Sequence, residues 1–316
     1  MAELPISPNT VSSPPANRFR SGLGMRGVSE GVVKWFCFAC ALVSVVTTVG
    51  IISVLISQSI PFFKAVNFVD FFTGTTWSPT PDPGKFGVIP LIVGTLMITV
   101  GAGLFAVPLG LLSAIFLSEY AHPRLRNFLK PTLELLAGIP TVVYGYFGLF
   151  FVTPMLRHVF PAIESSNAAS GAIVVGIMIL PLVSSLCEDA ISAVPRSLRE
   201  GAYGLGATKM EVTTKIVVPG ALSGIMASFI LALSRALGET MAVTLAAGSN
   251  PVLTLNPTKA IETMTAYIVA TSKGDAGVGT TRYNSIFAVG ITLFVFTMVM
   301  NLVATRLVKK FRQVYQ

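Results

Sequence analysis

The chain has 316 residues, 53% of them hydrophobic and only 11% charged, and its mean hydropathy is +0.74. A soluble domain of this size carries about a quarter charged residues, so the expected class is an all-α membrane protein with several spans rather than a soluble enzyme. The net charge of +8 would suit a nucleic acid or an anionic substrate, but its distribution along the chain gives another explanation.

Residues 1–31 are rich in Pro, Ser, Asn and Gly, and read as a mobile cytoplasmic tail preceding a permease domain over 32–312. Gly22, Gly24 and Gly27 spell G-x-G-x-x-G, but the sequence places no strand before them and no βαβ unit after, so a dinucleotide site is not expected. The first apolar run, 35–56, follows about thirty polar residues and reads as a signal anchor, not a cleavable leader. About 20 apolar residues cross a hydrocarbon core of about 30 Å, and further spans are expected at 90–117, 131–153, 169–191, 220–247 and 285–305. Six transmembrane helices place both termini on one side.

Of the Lys and Arg residues, 15 fall in the tails and in the loops around 124–130 and 196–215, against 6 in the opposite segments, with Arg235 inside a span. The richer side is expected to be cytoplasmic. The positive charge is then mostly a topology signal, and no nucleic-acid partner is expected. Long polar segments at 57–85 and 248–283 face outside.

Several spans carry breakers: Pro108, Gly138, Pro140 and Pro181. The run from Gly138 to Gly145 is denser in them than a simple kink needs. Cys37 and Cys40 form a C-x-x-C on a predicted membrane helix. With only His122 and His158 in the chain, these cysteines and Cys187 read as packing residues. Glu134 is expected to snorkel to the boundary, and Glu188 and Asp189 to flank a loop rather than hold a metal. No G-x-x-x-x-G-K-[ST] occurs, and no nucleophile and base are legible, so neither cofactor nor catalytic site is expected.

Two stretches stand out. The first is a polar island at 193–219. Ser197 with Glu200 and Thr208 with Glu211 spell two capping boxes. Gly206 stands where a first short helix needs its left-handed stop. Leu198, Ala202 and Leu205 give that helix one apolar face, and Pro219 is expected to close the second. The pattern reads as a folded docking loop. The second is Arg235 and Glu239, four residues apart near the middle of the fifth span, with Thr240 and Thr244 beside them. Each charge costs about 2.5–3.5 kcal/mol at the centre of a membrane helix, so neither should face lipid. A buried ion pair that fixes packing and a polar pathway for an oxyanion both remain open. The guanidinium fork suits phosphate or sulfate oxygens. Sixteen residues separate Pro219 from Arg235, about 24 Å of helix.

Glu200-Gly201-Ala202, Gly206 and Ile216-Val217-Val218-Pro219 resemble the EAA loop of type I ABC importer permeases, with Gly201 and Val218 standing where Ala and Leu are common. The stretches 72–79, 86–96, 114–121, 138–145 and 235–243 make the chain similar, over about residues 30–312, to the PstC-type permeases of bacterial phosphate importers. The Glu239-Thr-Met-Ala-Val243 ending is more like this type than its PstA-type partner. The resemblance implies a MetI-like fold with six transmembrane helices in the bacterial inner membrane. It also implies a PstA-like second permease, a dimeric ABC ATPase seated on the loop, and a phosphate-binding protein outside. Arg235 and Glu239 would then attend phosphate passage, with hydrolysis left to the ATPase. The same architecture carrying molybdate or sulfate is an alternative. An ion-coupled secondary transporter is another, although no inverted repeat is legible.

Overall fold

The computed structural model describes residues 23–80, 84–274 and 276–311. Helix α1 (Leu23–Ala65) is followed by α2 (Phe68–Thr73) and a two-stranded antiparallel hairpin, β1 (Trp77–Ser78) with β2 (Lys85–Phe86). Then come α3 (Ile89–Ile115) with a π-helical end, π1 (Phe116–Tyr120); α4 (Pro123–Ala137); α5 (Thr141–Phe147); π2 (Gly148–Val152); and α6 (Thr153–Val159). The second half holds α7 (Ala168–Ser192), α8 (Arg196–Gly204), α9 (Lys209–Val212), π3 (Thr213–Val217), α10 (Val218–Leu237), α11 (Met241–Ala246), α12 (Met264–Lys273) and α13 (Thr281–Phe311).

Among the described residues five helical stretches are long and apolar enough to cross a membrane, and α4 with α5–α6, bent by 90°, is apolar enough to make a sixth, as a broken span or a re-entrant loop. Helix α1 begins at Leu23, inside the expected tail, and residues 1–22 of that tail lie outside the described residues. The chain divides into two compact units after Val54, within α1.

The bend replaces the single span expected over 131–153. Pro140 has no N–H to continue the ladder of α4 and instead caps α5 in extended backbone. Breaking a membrane helix frees carbonyls that need donors. Here the Tyr144 hydroxyl donates to the Leu136 carbonyl at 2.9 Å, and the Gly138 N–H turns back to Leu135.

The core is built on α3 and α7, which pack along most of their lengths. Their backbones approach closely at Gly110, where a Cβ would press on the Val183 side chain. Ile98, Ala102, Ala106, Val175, Ile179 and Val183 are all essentially inaccessible. A second, aromatic cluster surrounds the hairpin, where Trp77 meets Phe86 and Tyr267 edge to face at 5.7 and 4.8 Å.

At the opposite end of α3, charged residues tie the helix ends together. Glu188, expected to flank a loop, is instead inside α7 with its side chain 1% exposed. Its carboxylate accepts hydrogen bonds from Arg126, from Lys130 at 2.6 Å and from Ser192 at 2.9 Å. Asp189 is 59% exposed and pairs with Lys130 alone. Removing one side of a buried pair costs about 3–5 kcal/mol because the other charge stays behind, whereas an exposed pair contributes about 0–1 kcal/mol. Glu188→Ala is therefore expected to lower the melting temperature of the detergent-solubilised protein sharply, and Asp189→Ala barely. Equal shifts would show that the cluster does not hold the helix ends.

Candidate functional site: a docking loop and a broken helix

The loop at 193–219 holds one short helix, as expected, and the start of a long one, with differences at both ends. Helix α8 starts at Arg196 behind Pro195, two residues too early for Ser197 to cap it, so the Ser197–Glu200 box does not form. The second box does: the Glu211 carboxylate accepts from the Thr208 N–H at 3.0 Å while the Thr208 hydroxyl accepts from the Glu211 N–H. Gly206 has φ +83°. The Ala207 N–H reaches the Ala202 carbonyl, and the Gly206 N–H reaches that of Tyr203, which is the left-handed glycine stop that saturates a helix end.

Leu198 and Ala202 pack onto the core. Leu205 does not join them, because the helix has ended by then and the side chain is 91% exposed. With Met210 at 68% and Tyr203 at 43%, it leaves an apolar tip on a polar loop. Glu200, Gly201 and Gly206 are exposed, and Ile216 and Pro219 are half-buried, with Ile216 against the core. Arg199 clamps the loop to its neighbours. It donates to the Val194 and Ile191 carbonyls at 2.7 and 2.8 Å and pairs with Glu119 of π1 at 3.1 Å.

Pro219 does not close the second helix. The helix runs unbroken from Lys209 to Leu237. The widened turn π3 immediately precedes Pro219 and accommodates a residue with no N–H. Loop and span are thus one element.

The span ends sooner than expected. Helix α10 stops at Leu237 and α11 begins at Met241, so Arg235 and Glu239 lie on either side of a break rather than on one helical face. Among the described residues they form no ion pair. Glu239 is 9% exposed, and its carboxylate accepts from the Ala242 N–H at 3.2 Å, capping α11. Its backbone carbonyl accepts from the Thr265 hydroxyl at 2.8 Å. Thr240 and Thr244 spend their hydroxyls on backbone carbonyls. Arg235 is exposed and has no hydrogen-bond partner among the described residues. The break thus presents a guanidinium without a partner among the described residues beside a carboxylate that caps α11.

Sequence reasoning missed Arg199, whose partners are distant in the chain, and Glu262, which is 5% exposed beyond the break. A signal for Glu262 existed. Glu239-Thr-Met241 recurs as Glu262-Thr-Met264, and in both the threonine stands at a helix N-cap. Among the described residues no cluster of metal-ligating side chains is present.

Residues 106–313 match the family described as binding-protein-dependent transport system inner membrane component. A probable ABC transporter permease protein, YqgH, of Bacillus subtilis (strain 168) is 35% identical over 284 residues, covering 89% of this chain and 92% of that protein. The phosphate transport system permease protein PstC of Mesorhizobium japonicum is also 35% identical, over 84% of this chain and 86% of its own. Among solved structures, a bacterial ABC transporter involved in the import of the acidic polysaccharide alginate superposes with a TM-score of 0.62 at 18% identity, over 91% of this chain and all of that one. The inward-facing MetNI methionine ABC transporter gives 0.57 at 18% identity, over 72% and 96%. The matched stretch contains the folded loop, the continuous helix and the break, and with these relatives it places the chain in the binding-protein-dependent transport system inner membrane component family, the multi-pass permeases of ABC importers.

Proposed function

We propose that this chain is the permease subunit of an ATP-driven importer of inorganic phosphate, in which Arg235 contacts the passing anion. Arg235 carries the reading: a cation in the last turn of a membrane helix, with no carboxylate to neutralise it and the guanidinium fork turned to the surface of the chain. An unpaired charge there is costly unless another subunit or a ligand covers it. In the assembly, a PstA-like permease faces this surface and the two subunits enclose the pathway. Similarity to PstC permeases over most of the chain supports phosphate as the cargo.

The subunit itself hydrolyses nothing. A dimeric ABC ATPase holds the loop at 193–219 on the cytoplasmic side of the bacterial inner membrane, where the 15 basic residues and both termini lie. The exposed tip of Leu205, Met210 and Tyr203 enters the ATPase, while Glu200, Gly201, Ala202 and Gly206 give the loop its shape. Closure of the ATPase dimer moves the loop. The stretch from Ile216 through Pro219 continues into α10, so the movement reaches Arg235 along one helix. A phosphate-binding protein outside delivers its anion as the outer side opens. Glu239 and Thr240 hold the break in shape, and Arg235 alone supplies a free charge.

Charge-assisted hydrogen bonds contribute about 1.5–3 kcal/mol each, so Arg235→Gln is expected to cut phosphate uptake by the reconstituted importer at least roughly tenfold while the subunits still co-purify. Normal uptake would remove Arg235 from the pathway. Leu205→Asp changes a side chain that packs against nothing in this subunit. It is expected to leave the permease pair assembled but to weaken retention of the ATPase and abolish stimulation of hydrolysis by the binding protein. Unchanged stimulation would separate the loop from coupling. Sulfate and molybdate as competitors of uptake test the cargo, and a permease that transports with no ATPase attached would favour the secondary-transporter alternative.

A further inference from the structure

The end of the molecule away from the docking loop holds a cavity of about 770 Å³. Its walls include the hairpin at Trp77, the 249–253 loop, Glu262, Tyr267 and Arg282. Three of these residues have unmet hydrogen-bonding capacity. The Trp77 Nε1–H is buried with no acceptor among the described residues, in a residue 3% exposed. The Arg282 Nε–H is buried with no acceptor, and the guanidinium has no other partner among the described residues. The Glu262 carboxylate, in a residue 5% exposed, accepts no hydrogen bond and pairs with no cation among the described residues. Buried polar groups are nearly always paired, and leaving one unpaired costs about 1–3 kcal/mol. Two donors and one acceptor in residues that line the same space call for an occupant that both accepts and donates.

We propose that this cavity is an outer oxyanion site in which Trp77 and Arg282 donate to the anion's oxygens and Glu262 accepts from a protonated oxygen, so that it takes hydrogen phosphate and disfavours fully ionised oxyanions such as sulfate. This deepens the importer reading above and rests on it. Sulfate and molybdate can satisfy the two donors but carry no proton at neutral pH. Each would place its own lone pairs against the Glu262 carboxylate. Hydrogen phosphate carries the needed proton. Burial pushes the Glu262 carboxyl up to about 7, so the discrimination holds above that pH, where the group is an ionised acceptor, and fades below it, where the protonated carboxyl can donate to sulfate as well. Tyr267 is the other titratable group in the wall; its hydroxyl is engaged with Ser285 at 2.7 Å.

The position fits a stage before Arg235. Glu262 is three residues from Thr265, whose hydroxyl holds the Glu239 carbonyl at the helix break. The Glu262 carbonyl packs on Gly94, where any side chain would collide with it. That contact fixes the segment between cavity and break against α3.

The test uses the assembled importer, purified without its binding protein, and equilibrium binding of radiolabelled phosphate and sulfate. The intact complex is expected to prefer phosphate. A site built to hydrogen-bond one group rejects an analogue lacking it, so Glu262→Gln should narrow the phosphate-to-sulfate ratio by about tenfold or more, mainly by admitting sulfate. Trp77→Phe keeps the ring that packs on Tyr267, removes the N–H, and should weaken both anions several-fold, by about the worth of one hydrogen bond. Arg282→Gln should lose both anions. An unchanged ratio in Glu262→Gln, or unchanged affinity in both Trp77→Phe and Arg282→Gln, overturns the proposal. If Arg282→Gln fails to assemble, the other two variants decide. Uptake into vesicles with the binding protein present separates the two readings. No phosphate uptake by the intact complex defeats the importer reading, while normal uptake with an unmoved ratio defeats only the outer site.

Discussion

A helix that stops within an apolar slab leaves N–H and C=O groups with no water to receive them, so each break must bring its own partners. The break at 238–240 does this with side chains from three directions. The Glu239 carboxylate takes the Ala242 N–H, the Thr265 hydroxyl takes the Glu239 carbonyl, and the Thr240 hydroxyl takes that of Gly238. Thr265 can reach only because α12 begins there, and α12 is held by the Met264 N–H on the Thr95 hydroxyl of α3. Helices α3, α11 and α12 therefore converge on one set of backbone bonds. Glu239 is consumed in that set and Arg235 is left outside it, which is how a residue pair that looks like an ion pair becomes a lone cation.

The far end of the molecule is fixed by charge instead. Helix α7 is pinned at both termini. Asn167 caps its start and reaches Thr153, while Glu188 near its end gathers Arg126 and Lys130. Arg199 then fastens α8 to the last carbonyls of α7 and to Glu119. A rigid post with a clamped loop beside it suits a part that must transmit displacement rather than absorb it. The apolar tip at Leu205 projects from this frame without support from it, as a surface shaped for another protein would.

Much of this was legible in the sequence, for identifiable reasons. Span length and the run of apolar residues placed the stretches at 89–120, 168–192 and 281–306 within about four residues, because a bilayer imposes one length on all of them. Gly206 and the Thr208–Glu211 box are local, and local chemistry placed them correctly. What failed depended on distant contacts or on continuity. Ser197 could not cap a helix whose N-cap is Pro195, two residues earlier. Pro219 was tolerated because a π turn precedes it. Glu188 reads as a surface charge until Arg126 and Lys130, some sixty residues away, are brought to it. The pairing of Arg235 with Glu239 assumed an unbroken helix through Gly238. The Glu262 cavity has walls from four separate segments, and only the repeated Glu-Thr-Met hinted at it.

The π turn at Thr213–Val217 has a consequence for how the loop and the pathway are phased. A π turn holds one more residue than the α turn it replaces. It therefore rotates everything after it by about 100° relative to an uninterrupted α-helix. The angular bearing of Arg235 relative to Leu205 is thus set by one inserted residue, not by the intervening sequence. Loss of a single residue between 213 and 217 would preserve helix, loop and hydropathy, yet swing the guanidinium by more than a quarter turn, onto another face of α10. Homologous chains with and without this turn would then differ in which helix faces their pathway while remaining nearly indistinguishable by hydropathy.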